Sequence, residues 1–172
     1  MSEVCKYHGP KCNPHPDCMD RPDCSCHAEG RIGKPVVKLL FIGGQPKGEP
    51  EPFSVNTHSG KVLRRIVAEL KRLYDFDAQY FDLWKAEKEE SMGCISVLSQ
   101  RVLTEKMQSG WHIIPLGHYV HERLQRAKWA FDYYPHPARN GKQLKEKLEA
   151  DIAFWTCSTG SIGLQHPKVN TP

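Results

Sequence analysis

Between Val36 and Trp155 the chain alternates short apolar runs with stretches whose apolar residues return every three or four positions. The run V-V-K-L-L-F-I-G, residues 36–43, is almost continuously apolar, which predicts a strand buried on both faces, as in a parallel sheet. Ser59 stands where it would cap a helix whose Val62, Leu63, Ile66, Val67, Leu70 and Leu73 recur at helical spacing. A second strand is expected over 78–83, a helix over 96–107, and a third strand over W-H-I-I-P-L-G, 111–117. A helix over 118–125 and a fourth strand over 128–133 follow. The last helix is expected over 143–155, with Leu144, Leu148, Ile152 and Trp155 on one face. Strands that alternate with helices predict an α/β fold: three layers, α/β/α, around a four-stranded parallel sheet. In such sheets, ligands bind beyond the carboxyl ends of the strands.

The pattern fails at both ends. Residues 1–34 hold five of the seven cysteines and almost no aliphatic side chains, so they cannot bury a core of their own. Residues 156–172 are rich in Ser, Thr and Gly and read as a flexible tail. The expected organisation is therefore a Cys/His-rich segment over 1–34, an α/β domain over 35–155 and a tail over 156–172.

The head changes the picture most. C-K-Y-H-G-P-K-C-N-P-H-P-D-C-M-D-R-P-D-C-S-C-H, residues 5–27, offers Cys5, His8, Cys12, His15, Cys18, Cys24, Cys26 and His27 as metal ligands. Close pairs such as Cys5 with His8 and Cys12 with His15 let two donors reach one ion from a tight turn. No apolar run approaches the ~20 residues of a membrane span. The N-terminus also lacks the charged-then-apolar order of a secretory leader. A soluble cytoplasmic monomer is expected, with reduced cysteines and no membrane partner. Under reducing conditions the cysteine density reads as metal before disulfide. Mixed Cys/His donors suit zinc, one or two ions, and binding would supply the folding energy that the segment lacks. An incidental cysteine-bearing tail is the plainer alternative. His27-Ala28-Glu29 matches half of a zinc-deaminase signature, but the P-C-x-x-C half is missing downstream.

Charge is less informative. A net charge of +4 permits nucleic-acid binding without requiring it. Lys61, Arg64, Arg65, Lys71 and Arg72 crowd one segment, as a solvated helix face or a phosphate-binding one.

Chemistry concentrates in Y-Y-P-H-P-A-R-N-G-K, residues 133–142, where one histidine stands between two prolines. Each proline fixes its own φ and pushes the preceding residue towards an extended conformation, so His136 is presented on a stiff loop. That loop and G-G-Q-P-K-G, 43–48, both fall where strands end.

The order of parts is specific: L-L-F-I-G-G-Q-P-K-G, then P-F at 52–53, S-G-K-V-L at 59–63, Y-F-D-L-W-K at 80–85, I-I-P-L-G-H-Y-V at 113–120 and H-P-A-R-N at 136–140. This order resembles the uracil-DNA glycosylase superfamily over about residues 36–155, and is most similar to its iron–sulfur branch. The resemblance implies an enzyme that hydrolyses the N-glycosidic bond of a flipped-out pyrimidine in DNA. It implies that His136 donates to the departing base, that Phe53 stacks on it, and that Gly43, Gly44 and Gly48 let backbone approach the sugar. Arg139 and Asn140 would contact the minor groove, and Ser59 and Lys61 a phosphate.

The departures are equally definite. Gln45 stands where several branches place an acidic residue or Asn to polarise water; an amide orients water but takes no proton, so either the water is only positioned and attacks an already formed cation, or Glu49 or Glu51 serves as base. Asp82 stands where uracil enzymes read the base with Asn, so uracil, a modified pyrimidine and a 4-amino pyrimidine all stay open. The cysteine expected after Lys85 is Ala86, which argues against an iron–sulfur cluster and for zinc in the head. A non-enzymatic, zinc-containing DNA-binding module on the same fold is the second reading. A purely structural zinc protein is the third.

Overall fold

The computed structural model describes residues 36–45, 48–85 and 93–158. Strands β1 (Val37–Gly43), β2 (Phe76–Asp82) and β3 (Trp111–Pro115) alternate with helices α1 (His58–Leu70), α2 (Val97–Gln108) and α3 (His118–Arg126), and α4 (Pro137–Ser158) closes the described chain. The strands form one parallel sheet in the order β2-β1-β3. In the central strand β1 every residue except Lys38 is buried, as its apolar run predicts.

Because successive side chains of β1 point to opposite faces, the strand divides between two cores. Val37, Leu39 and Phe41 pack with Leu63, Ile66, Val67 and Leu70 of α1 and with Leu144, Leu148 and Ile152 of α4. Leu40 and Ile42 pack with Leu103 of α2 and with Val120 and Leu124 of α3. Helices therefore cover both faces. Each buried leucine or isoleucine contributes about 1.5–3 kcal/mol by leaving water, the dominant favourable term in this fold.

The described residues contain three strands, and the expected fourth is absent over 128–133. Lys128 adopts φ 64°, which ends α3 in a left-handed turn. Trp129 and Phe131 then stack at 5.7 Å against the α2–α3 core, and the Phe131 carbonyl is bound by the His121 ring at 2.9 Å. With that carbonyl taken by a side chain, one parallel bridge, Leu116 to Tyr134, is what extends the sheet among the described residues.

Other boundaries shift. Thr57, not Ser59, caps α1, accepting the Gly60 amide on its side chain at 3.1 Å. Leu73 lies beyond the helix and is exposed. Helix α4 begins six residues before the expected Gln143, with a non-helical Asn140 (φ −136°, ψ 47°) where a short first turn meets the long helix, and it runs through Thr156 to Ser158. Among the described residues, no helix is long and apolar enough to cross a membrane.

Candidate functional site

The carboxyl edge of the sheet gathers most of the singled-out residues. Gly43 ends β1 in register with Asp82 at the end of β2. Beyond the strands the pairing continues, Leu83 donating to the Gly43 carbonyl at 3.0 Å and Trp84 to that of Gly44 at 2.9 Å. A Cβ on Gly43 would lie 2.8 Å from Asp82 Oδ1 and 2.8 Å from Phe53 Cζ. Glycine is thus what lets the phenyl ring and the carboxyl meet over the end of β1.

Phe53 is held under strain. Its φ is 49°, a region that costs a non-glycine residue about 1–3 kcal/mol, so surrounding contacts must impose it. Arg64 Nε donates to the Phe53 carbonyl at 2.9 Å, while its guanidinium lies 4.5 Å from the centre of the Tyr80 ring. From α1, Gly60 allows the loop backbone to pass so close that an added Cβ would lie 2.0 Å from the Ser54 carbonyl oxygen. Glu49 completes the lock: its Oε2 accepts from Ser54 Oγ and Asn56 Nδ2, each at 3.0 Å. Gln45 is half-buried just past β1, ahead of these contacts.

Asp82 is half-buried, and its Oδ2 is shielded from solvent without a hydrogen-bond partner among the described residues. Burial pushes this carboxyl up to about 6, so it takes up a proton as pH falls through about 6, and that protonated form offers a donor and an acceptor.

His136 lies along the same edge, past β3. A Cβ on Gly117 (φ 89°) would lie 3.2 Å from the imidazole Cδ2, so this glycine forms the floor under the ring. Pro135 and Pro137 are both buried and hold the loop from either side. The preceding Tyr134 is anchored through its hydroxyl, which donates to Asp151 at 2.7 Å, and through its carbonyl, which accepts from Gly117 at 2.8 Å. Burial raises the Tyr134 phenol well above its usual range, so it stays a donor.

The Ala138 amide donates to His136 Nδ1 at 3.3 Å. An amide only donates, so Nδ1 is unprotonated and the neutral ring carries its proton on Nε2. The loop thereby fixes the imidazole as an Nε2–H donor. Two strand spacings, about 10 Å, separate the β2 end with Asp82 from the β3 end that leads to Gly117.

The other singled-out residues are distributed more widely. Ser59 and Lys61 occupy the first turn of α1, and Arg139 and Asn140 the first turn of α4, where both amides bond the His136 carbonyl at 3.1 and 2.9 Å. The basic cluster splits: Arg64 turns to the Phe53 loop and Tyr80, Lys71 lies over Phe76, and Arg65 faces α4. Cys5, His8, Cys12, His15, Cys18, Cys24, Cys26 and His27 lie outside the described residues, as does Ala86. Among the described residues, no group of three or more His, Cys, Asp or Glu side chains could hold a metal ion.

Sequence reasoning missed Gly60, Arg64 and Gly117 as parts of the site. A glycine inside the helical pattern of 58–70 was the available signal for the first. Arg64 looked like one cation among five. Comparison of the chain with family models, with curated proteins and with solved structures finds no match in any of the three.

Proposed function

We propose that this chain is a DNA glycosylase that hydrolyses the N-glycosidic bond of a flipped-out pyrimidine, uracil or a modified base, to leave an abasic site. The observation that carries the reading is the braced imidazole. His136 is clamped between buried prolines over Gly117, and the Ala138 amide on Nδ1 directs the ring proton to Nε2. Breaking the bond leaves positive charge on the sugar and negative charge on the departing base. A donor already oriented at the base oxygen stabilises charge that exists only near the transition state, and its rigidity removes the cost of reorganisation.

In this reading the base leaves the stack and lies against Phe53, whose strained turn is held by Arg64 and Gly60. Asp82 in its neutral form presents one donor and one acceptor to the pyrimidine edge. Gln45 orients the attacking water, and Gly43 and Gly44 let backbone approach the sugar. Glu49, engaged by Ser54 and Asn56, holds the Phe53 loop. Ser59, Lys61, Arg139 and Asn140 contact the flanking DNA. The single bridge at Tyr134 stands where a fourth strand would complete the sheet. Residues 1–34 form a head in which the eight Cys and His residues supply zinc ligands, with a structural role.

One observation favours the second reading, a DNA-binding module without catalysis: Gln45 takes no proton, and Glu49 is committed to its loop. The deciding experiment incubates the protein with labelled single- and double-stranded oligonucleotides carrying uracil, 5-hydroxymethyluracil, cytosine or 5-hydroxymethylcytosine, then reveals abasic sites with alkali. We expect excision of one of these bases, slowed about 10²–10³-fold by His136→Ala with DNA affinity kept. Equal activity of the variant would sink the assignment. DNA binding without excision of any base would favour the module.

A further inference from the structure

A groove of about 420 Å³ runs between α1 and α4 on the outer side of the helix layer. Its floor is apolar, formed by Val62 and Ile66 of α1 and by Pro137, Ala138 and Gly141 of α4. Gly141 brings the helices together: a Cβ there would lie 2.9 Å from Val62 Cγ1. The walls carry Arg65, Lys142 and Lys145 against one carboxylate, Glu69, which Lys145 already binds at 2.7 Å. That contact lowers the Glu69 pKa and raises that of Lys145, so both stay charged; Lys142 in turn lies 3.9 Å from Glu146, and Arg65 leaves the groove with an excess of positive charge.

The cations form two rows. Lys61 and Arg65 stand four residues apart on α1; Lys142 and Lys145 stand three apart on α4, past the non-helical Asn140. At these intervals, side chains share one helix face. Both helices start from the carboxyl edge of the sheet, and Pro137 and Ala138 of the floor directly follow His136. The groove therefore opens beside the imidazole and leads away from it.

We infer that this groove is a secondary nucleic-acid contact, in which the rows led by Arg65 and Lys142 bind phosphates of the strand flanking the nucleotide at His136. The inference rests on the proposed DNA substrate and adds to it the path of the flanking strand. Among the described residues no aromatic side chain lines the groove, so the contact is to phosphate and sugar and carries no base preference. An acidic protein segment would meet the same charges, and it is the competing occupant.

The test is fluorescence anisotropy of the full chain with a labelled duplex and a labelled single strand, titrated at several salt concentrations. It compares wild type with Arg65→Glu/Lys142→Glu, the milder Arg65→Ala/Lys142→Ala, and Arg101→Glu on α2 as a distant control; circular dichroism checks folding. We expect the double charge reversal to weaken DNA binding at least tenfold. The alanine pair should lower the slope of log affinity against log salt by about two phosphates' worth, roughly 0.9 each on duplex. The control should match wild type in affinity and in salt slope.

Unchanged affinity and slope in both pairs would overturn the inference while excision by wild type left the glycosylase reading standing. Excision by no form of the protein, with the predicted salt response intact, would fail that reading and keep the groove. If the pairs lose binding to a labelled polyglutamate peptide as steeply as to DNA, at equal wild-type affinity, the surface is a general acidic-partner site and the inference falls.

Discussion

Asp82 carries the clearest consequence at the scale of one residue. Its unfolded carboxyl titrates near 4, whereas burial holds the folded one at about 6. The folded state binds this proton more tightly, so the contribution to stability is fully present below about pH 4 and is lost as pH rises through about 6. Asp82→Asn replaces the carboxyl with a neutral amide of the same shape. At pH 8 it should be more stable than wild type by about 1 kcal/mol, because it places no charge in the shielded site; about 1.4 kcal/mol per pKa unit, discounted for partial exposure, sets the scale. The two should converge below pH 4, and urea midpoints at both pH values check this; a constant difference would refute the assignment. Excision should likewise fall as pH rises through about 6, in a limb that Asp82→Asn removes. The histidines illustrate the same dependence on surroundings. His112 stacks on Trp155 at 3.9 Å, and burial lowers its pKa; it is a packing residue at the amino end of β3. His136 differs because its loop fixes the ring's tautomer.

Among the elements, α1 does more than cover the sheet. Its inner face buries Leu63, Ile66, Val67 and Leu70, while Gly60 and Arg64, one turn apart, fix the Phe53 turn. Gly60→Ala tests this coupling with opposing magnitudes. Alanine gains about 1 kcal/mol of helix propensity, but its Cβ would lie 2.0 Å from a backbone oxygen that no side-chain rotation can relieve. Overpacking of this kind costs about 1–3 kcal/mol. We expect a net loss of stability in urea, together with lost excision because Phe53 is displaced. A variant more stable than wild type, with full activity, would show that α1 does not set the turn. The apolar stripe of α1 was legible because burial follows a helical period. Its cap was not: Thr57 and Ser59 are both competent, and the choice rests on which backbone amides the loop leaves open.

For the whole molecule, the parallel sheet brings distant segments to one edge. Gly43, Phe53 and Asp82 meet at this edge, and the His136 loop lies along it beside Gly117, because every strand ends on the same side. The proposed zinc head belongs to this scale as well, since metal binding and folding would be one equilibrium in a segment without an apolar core. Elemental analysis of the purified full chain should find one or two zinc ions per molecule, reduced by Cys5→Ser/Cys12→Ser. Iron in place of zinc, or no metal at all, would overturn the zinc proposal.

Periodicity and punctuation along the chain determined the three strands, the helices between them and the stiff histidine loop. These depend on local physics: a run buried on both faces must be apolar, an amphipathic helix repeats every 3.6 residues, and two prolines fix the backbone wherever they occur. The tertiary structure alone decided that residues 128–133 are not a strand: the left-handed Lys128 turns the chain, and the His121 ring takes the Phe131 carbonyl that a ladder would use. It alone gave Arg64 and Gly60 to the Phe53 turn and Gly117 to His136. It alone left Asp82 Oδ2 shielded and, among the described residues, unpartnered. Each of these is a matter of which atoms approach across long separations in sequence, and a linear pattern carries no record of that distance.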